Sequence, residues 1–259
     1  MLHWRPGAGI QSETPRYHWR GRPLNAGWVT TFNKHAVISE NRCTKVVDTV
    51  NADAAALLGC AVTTGFGVIE NDANVKIGES VVVFGAGGIG LNMIQAASLH
   101  SAWPIIAVDQ FEGRLNLARE MGASHCINSN NGETESTIKR DLGGDRVDVF
   151  IDNTGNPSII ELGYRLTHSN GRVVLVGVPK QGKTVNLSTL PLHFGKQLIG
   201  SHGGNSHPQF DIPRYLKLQS RGQLKLQKLV SAHYSLDQIN EAITAMRDGQ
   251  TAGRVMIRF

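Results

Sequence analysis

The densest chemical signal in the chain is the hexapeptide Gly85-Ala86-Gly87-Gly88-Ile89-Gly90. It fits G-x-G-x-x-G, follows the apolar run Val81-Val82-Val83-Phe84, and opens a segment whose pattern predicts a helix to about His100. In that setting Gly85 permits a tight turn, Gly87 leaves room for a pyrophosphate, and Gly90 lets the helix lie close on the strand. The helix start then offers free N–H groups and a positive dipole end to phosphate oxygens. Asp109 ends the next strand, 19 residues beyond Gly90. A carboxylate there can accept hydrogen bonds from ribose hydroxyls and repels a 2′-phosphate, which favours NAD over NADP. A glycine-rich turn of this kind also occurs in α/β domains that bind nothing. The strand–turn–helix setting and the acid weigh for dinucleotide binding.

These residues need a scaffold, and the surrounding pattern supplies one. Apolar runs at Ile105–Val108, His125–Ile127, Val147–Ile151, Arg172–Val176 and Leu198–Gly200 read as strands. Between them, Arg114–Met121, Glu133–Leu142 and Ser158–Leu166 read as helices. Continuous apolar strands alternating with helices predict a doubly wound parallel sheet of the Rossmann type, covered on both faces. Residues 1–35 read as irregular, Ala36-Val37-Ile38 as a short strand, and Asp53–Leu58 as a short helix capped by Asp53. After His202 come a loop, helices near Gln209–Ser220 and Leu236–Met246, and a last strand Val255–Phe259.

The segment Leu58-Gly59-Cys60-Ala61-Val62-Thr63-Thr64-Gly65-Phe66-Gly67, taken together with Gly85–Gly90, resembles the medium-chain zinc-dependent alcohol dehydrogenases. The closest flavour is the class III, formaldehyde dehydrogenase-like branch. The resemblance runs from about Thr30 to Phe259. It implies that Cys60 is a catalytic zinc ligand and that Thr64 packs on the nicotinamide ring. It implies that Asp109 holds the ribose with Arg114 beside it, and that Thr154 contacts the adenine. Val176-Gly177-Val178 would line the nicotinamide, and His202 would hold the carboxamide through its backbone. Arg254 would reach the pyrophosphate from the other domain, although an ordinary surface arginine fits that position equally well. The substrate implied is a small alcohol or aldehyde, with hydride exchanged with NAD.

The family builds a discontinuous β-rich (GroES-like) catalytic domain from stretches on both sides of its nucleotide-binding domain. Here only remnants of it are expected: residues 1–58 and 203–259, flanking a nucleotide-binding domain at 59–202. The chain looks as if it begins after the lobe carrying the other zinc ligands. A structural zinc of the all-cysteine kind needs four thiolates, and there are three cysteines, Cys43, Cys60 and Cys126. Cys60 is the single remaining candidate ligand, so bound zinc is doubtful. Cys43 and Cys126 read as ordinary buried thiols, and His3, His18, His35, His202, His207 and His233 fall in no ligand pattern. Cofactor binding is therefore expected to persist while alcohol oxidation is impaired. Two other readings stay open: a zinc-free reductase, and a non-catalytic NAD-binding or interaction module.

Composition narrows the field further. With 41 % hydrophobic residues the chain can bury a core. No long unbroken apolar run and no signal-like start occur, so neither a membrane span nor secretion is expected. Three widely spaced cysteines argue against a disulfide framework and for the cytoplasm. The net charge of +5 is concentrated at Arg214, Lys217, Arg221, Lys225 and Lys228, read as a solvated helix face and not as a nucleic-acid patch. Partial loss of a β-rich domain exposes strand edges and apolar surface, so a sticky or partnered chain is expected. The family's edge-strand pairing implies a homodimer.

Overall fold

In the computed structural model, residues 17–24, 32–36, 38, 40–48, 50–144 and 146–259 are described. The chain forms two units, residues 1–43 with Phe259 and residues 44–258. In the first, β1 (Tyr17–Trp19) and β2 (Arg22–Leu24) make an antiparallel hairpin, with Gly21 at the turn in a left-handed conformation. A short strand pair thus stands inside the stretch expected to be irregular. Ala36 and Ile38 belong to no strand, and Val37, the centre of the expected strand there, lies outside the described residues, as does His3.

The second unit opens on a helix far longer than the one expected. It starts as α1 (Ala52–Leu57), passes through a π-turn at Leu58–Val62, continues as α2 (Thr63–Gly67), and ends in a second π-turn at Val68–Asp72. Its cap is Asn51, whose side chain accepts from the Asp53 N–H at 2.8 Å. Asp53 itself, the expected cap, turns to His233 and Arg258 instead. By length and composition the stretch Ala52–Asp72 could cross a membrane, but 67 % of its apolar window is buried within the protein. It is a core helix.

The parallel sheet follows. Its strands are β3 (Val81–Phe84), β4 (Ile105–Asp109), β5 (His125–Asn128), β6 (Val147–Asp152), β7 (Thr167–Leu175) and β8 (Gln197–Gly200). They lie in the order β5-β4-β3-β6-β7-β8, all parallel. The first four of the five connections are each made by a helix: α3 (Gly88–Leu99), α4 (Glu112–Met121), α5 (Thr134–Asp141) and α6 (Pro157–Leu166). This is the doubly wound order, with its reversal between β3 and β6. The strands are apolar throughout because both faces are covered. Val81 and Val83 feed one core with Leu91 and Ile94 of α3, while Val82 and Phe84 feed the other with Ile138 of α5 and Tyr164 of α6. Such two-sided burial is what an unbroken apolar run encodes.

Beyond the sheet lie α7 (Pro208–Ser220), β9 (Val230–Ser235), α8 (Ile239–Arg247) and β10 (Arg254–Arg258). β9, which the residue pattern did not reveal, pairs in parallel with β10. The basic cluster is largely paired. Arg214 meets Glu70 and Asp211, Lys228 meets Glu120, and Lys225 Nζ donates to the Glu120 carbonyl.

Candidate functional site

At the switch point the exits of β3 and β6 diverge and open a cleft of about 480 Å³. Phe84, Gly85, Gly87, Asp109, Arg114, Ser129, Asn153, Thr154, Asn156 and Ile159 are among the residues that line it. Ligands of doubly wound sheets bind at this place, beyond the carboxyl ends of the strands.

The glycine turn forms its floor. Gly85 stands at φ +98°, a conformation that L side chains rarely adopt, and its N–H donates to the Val108 carbonyl at 2.8 Å. Gly87 caps α3, and a Cβ built on it meets nothing within 4 Å. A Cβ on Gly90 would overlap the Gly85 carbonyl oxygen outright. One glycine therefore keeps the cleft open, and another keeps helix and turn in contact. A Cβ on Gly88 would run into the Arg254 side chain, so that arginine lies across the start of α3. Arg254 Nε is buried and has no hydrogen-bond partner among the described residues. Ile89 follows, half-buried, in the helix's first turn.

Asp109 closes one side. It is 5 % exposed, and both carboxylate oxygens are engaged. Oδ2 accepts from the Ala86 N–H at 2.8 Å and Oδ1 from the Phe111 N–H at 3.1 Å. Arg114 lies 3.6 Å from Oδ2 and stacks over the Phe111 ring at 4.6 Å. The acid thus braces the glycine turn itself, a role its distance along the chain did not disclose.

The opposite wall is the end of β6. Asp152, fully buried, accepts from the Thr154 N–H at 3.0 Å, the Thr154 hydroxyl at 2.6 Å and the Gly155 N–H at 2.9 Å. Burial pushes its carboxyl above the usual range, and those three donors only partly offset the effect. Thr154 is exposed at the cleft, but its hydroxyl also accepts from the Asn156 N–H, so the side chain is committed to the turn. Val176 and Gly177 donate to the Asp152 carbonyl at 2.8 and 3.0 Å. A Cβ on Gly177 would strike the Thr154 backbone at 2.5 Å. Val178, just beyond, is 89 % exposed.

The remaining positions gather around α2. Thr64 is buried, and its carbonyl oxygen would lie 2.6 Å from a Cβ on Gly204, in the loop after His202. Asn71 Nδ2 donates to the Gly204 carbonyl at 2.9 Å, which fixes the same loop. His202 is exposed. Cys60 stands exposed one turn before Thr64, and the Thr63 hydroxyl donates to its carbonyl at 3.2 Å.

The thiols differ from expectation in part. Cys43 is exposed and not buried. Cys126 is half-buried, hydrogen-bonded to the Leu115 carbonyl, and its thiol is pushed up by burial. Among the described residues no group of three His, Cys, Asp or Glu side chains lies close enough to hold a metal ion. Cys60 alone does not fit a zinc site, which needs three protein ligands for a catalytic ion. Asp152 and Asn153 escaped the sequence reading. Their signal was a polar Asp-Asn-Thr-Gly run ending an apolar strand, but only the strand order places it across from Gly85.

Sheet order, switch-point cleft and glycine turn together define a nucleotide-binding α/β protein. Relatives sharpen this. The family described as zinc-binding dehydrogenase matches residues 88–220. The S-(hydroxymethyl)glutathione dehydrogenase of Escherichia coli O139:H28 is 32 % identical over 257 residues, covering 98 % of this chain and 69 % of that protein. The crystal structure of benzyl alcohol dehydrogenase from Acinetobacter calcoaceticus superposes with a TM-score of 0.80 at 33 % identity, covering 86 % of this chain and 62 % of that one. An alcohol dehydrogenase zinc-binding domain protein from Burkholderia ambifaria gives 0.80 at 34 % identity, with 86 % and 60 % covered. The chain belongs to the zinc-type, medium-chain alcohol dehydrogenase family. It spans less than two thirds of the length of those two solved relatives.

Proposed function

We propose that this chain binds NAD(H) in the switch-point cleft. The observation that carries the reading is the start of α3, open at Gly87, flanked by the buried Asp109 carboxylate and by the unpartnered Arg254 Nε. An anionic pyrophosphate fits the open helix start and the arginine, and a ribose hydroxyl fits the carboxylate. Gly85, Gly87, Gly88, Ile89 and Gly90 would hold it through the backbone, with Arg254 neutralising charge. Asp109 and Arg114 would take the adenosine ribose, and Thr154 would flank the adenine. Thr64, Val176, Gly177, Val178 and the backbone at His202 would surround the nicotinamide. Bound NAD supplies a hydride acceptor, which is the chemistry of alcohol oxidation. The residues' part is to bind and orient it.

The family reaction, hydride transfer between an alcohol or aldehyde and NAD, is the activity we assign to the complete site. Cys60 has no companion zinc ligands among the described residues. That same finding favours a second reading for this polypeptide, a non-catalytic NAD-binding module. We read residues 59–202 as the nucleotide-binding domain, flanked by segments of the catalytic domain at 1–58 and 203–259. A homodimer is our reading of the edge strand β8, with Val185, Leu190, Leu192 and Phe194 exposed in the segment that precedes it. A cytoplasmic location is consistent with three cysteines that form no disulfide.

Titration with NADH, followed by its fluorescence, tests the binding. Incubation with NAD⁺ and benzyl alcohol, with and without added zinc, separates turnover from binding alone. Absence of saturable NADH binding refutes the proposal. Zinc-dependent NADH formation from the alcohol overturns the non-catalytic reading.

A further inference from the structure

The residue after β6 is bonded twice to the chain leaving β3. The Asn153 backbone N–H donates to the Phe84 carbonyl at 2.9 Å, and its side-chain Nδ2 donates to the Gly85 carbonyl at 3.0 Å. A carbonyl only accepts, so the amide nitrogen and not the oxygen must face Gly85. Two consecutive carbonyls leaving β3 are thereby tied to one residue leaving β6, across the point where the sheet reverses.

Gly85 is where such a tie has leverage. Its left-handed backbone is the pivot between strand and helix. Its carbonyl lies against Gly90, which is why a Cβ there would overlap it. Rotation of that peptide would re-aim the N–H groups at the start of α3. Asn153 is itself held firmly, since its neighbour Asp152 fixes the Thr154–Gly155 turn with three hydrogen bonds.

We propose that Asn153 is a positioning residue of the dinucleotide site: its side-chain amide fixes the Gly85 peptide and so aims the first N–H groups of α3 at the pyrophosphate. This rests on the reading of the cleft given above. Asn153 acts through the turn and needs no contact with the cofactor.

The test compares Asn153→Ala and Asn153→Asp with the parent chain, by NAD calorimetry and thermal melts. Loss of one hydrogen bond that orients charged-group contacts is expected to raise Kd about tenfold in Asn153→Ala, with folding retained. At about pH 8 the Asp variant carries a carboxylate, which cannot donate, and binds at least as weakly. As pH falls through about 3.9, the carboxyl gains its proton and can donate again. There the Asp variant is expected to bind more tightly than the Ala variant. Relief of charge repulsion alone would bring it only level with Ala. A residue that merely supported the fold would lower the melting temperature without this crossover. Should Asn153→Ala not fold, Asn153→Leu, of similar size and without a donor, takes its place. Parent-like affinity in the Ala variant, or an Asp variant never tighter than Ala, overturns the assignment. A parent chain that binds no NAD removes the site itself, a different failure that takes this inference with it.

Discussion

Gly87→Ala separates binding from folding more cleanly than any other change in the cleft. Gly87 lies at φ −73° and ψ −172°, ordinary extended backbone that alanine adopts without strain. The added methyl meets no atom within 4 Å. Replacing glycine restricts the unfolded chain and stabilises by about 0.4–1 kcal/mol. Alanine is a poorer helix cap, which costs about the same. The two effects cancel, so the melting temperature should hardly move. The methyl does, however, project into the space where backbone must approach a phosphate. Disrupting one charge-assisted N–H bond there costs about 1.5–3 kcal/mol, or roughly 10- to 150-fold in Kd. NADH fluorescence titration beside a circular-dichroism melt reads both quantities on one preparation. Unchanged NADH affinity in a folded Gly87→Ala protein would refute the placement of the pyrophosphate. The control is Gly90→Ala, whose methyl overlaps the Gly85 carbonyl. It should lose stability by about 1–3 kcal/mol through overpacking, and affinity with it.

Other expectations follow from the same geometry. Asp109→Asn keeps one acceptor but turns an amide N–H₂ toward either the Ala86 or the Phe111 N–H, so one buried donor goes unpaired. It should cost about 1–3 kcal/mol in a urea unfolding curve, and the preference for NADH over NADPH should shrink. At the other end of the sheet, burial pushes the Asp148 carboxyl up. The Ser80 hydroxyl, the Ser80 N–H and His168 outweigh that and hold it below its ordinary 3.8. Between its folded value and 3.8 the unfolded chain binds more protons, so this contribution is whole above 3.8 and is lost as pH falls through the folded value. Acid unfolding of Asp148→Asn should lack that limb; parallel acid curves for variant and parent would count against the Ser80–Asp148–His168 contacts. Under native conditions an aromatic disulfide reagent should label the exposed Cys43 and Cys60 quickly and the half-buried Cys126 slowly. Equal rates for all three would contradict the burial of Cys126. Dialysed protein should carry well under one equivalent of zinc, and a full equivalent by elemental analysis would contradict the ligand set described.

Much of this was legible in the residues themselves. Unbroken apolar strands such as Val81–Phe84 report burial on both faces, because each alternate side chain enters a different core. The glycine spacing at 85, 87 and 90 and the acid at Asp109 report a tight strand-to-helix turn with a carboxylate beside it, because each answers a local steric or charge demand. Local demands leave local marks. The helix Ala52–Asp72 did not show its length, because Gly59, Gly65 and Gly67 speak against a helix until packing is known. At Gly65 the reason is visible: a Cβ there would meet the Asn92 Cβ of α3 at 2.6 Å. Strand β9 likewise became a strand through its pairing with β10.

What the tertiary structure alone decided is which distant residues share the cleft. Strand order sets β6 beside β3, and so brings Asn153 onto the Gly85 carbonyl. Chain return lays Arg254 across Gly88, some 166 positions away. The physical reason is that propensity and periodicity act over a few residues, whereas a site at a switch point is made by strands whose adjacency no local force specifies.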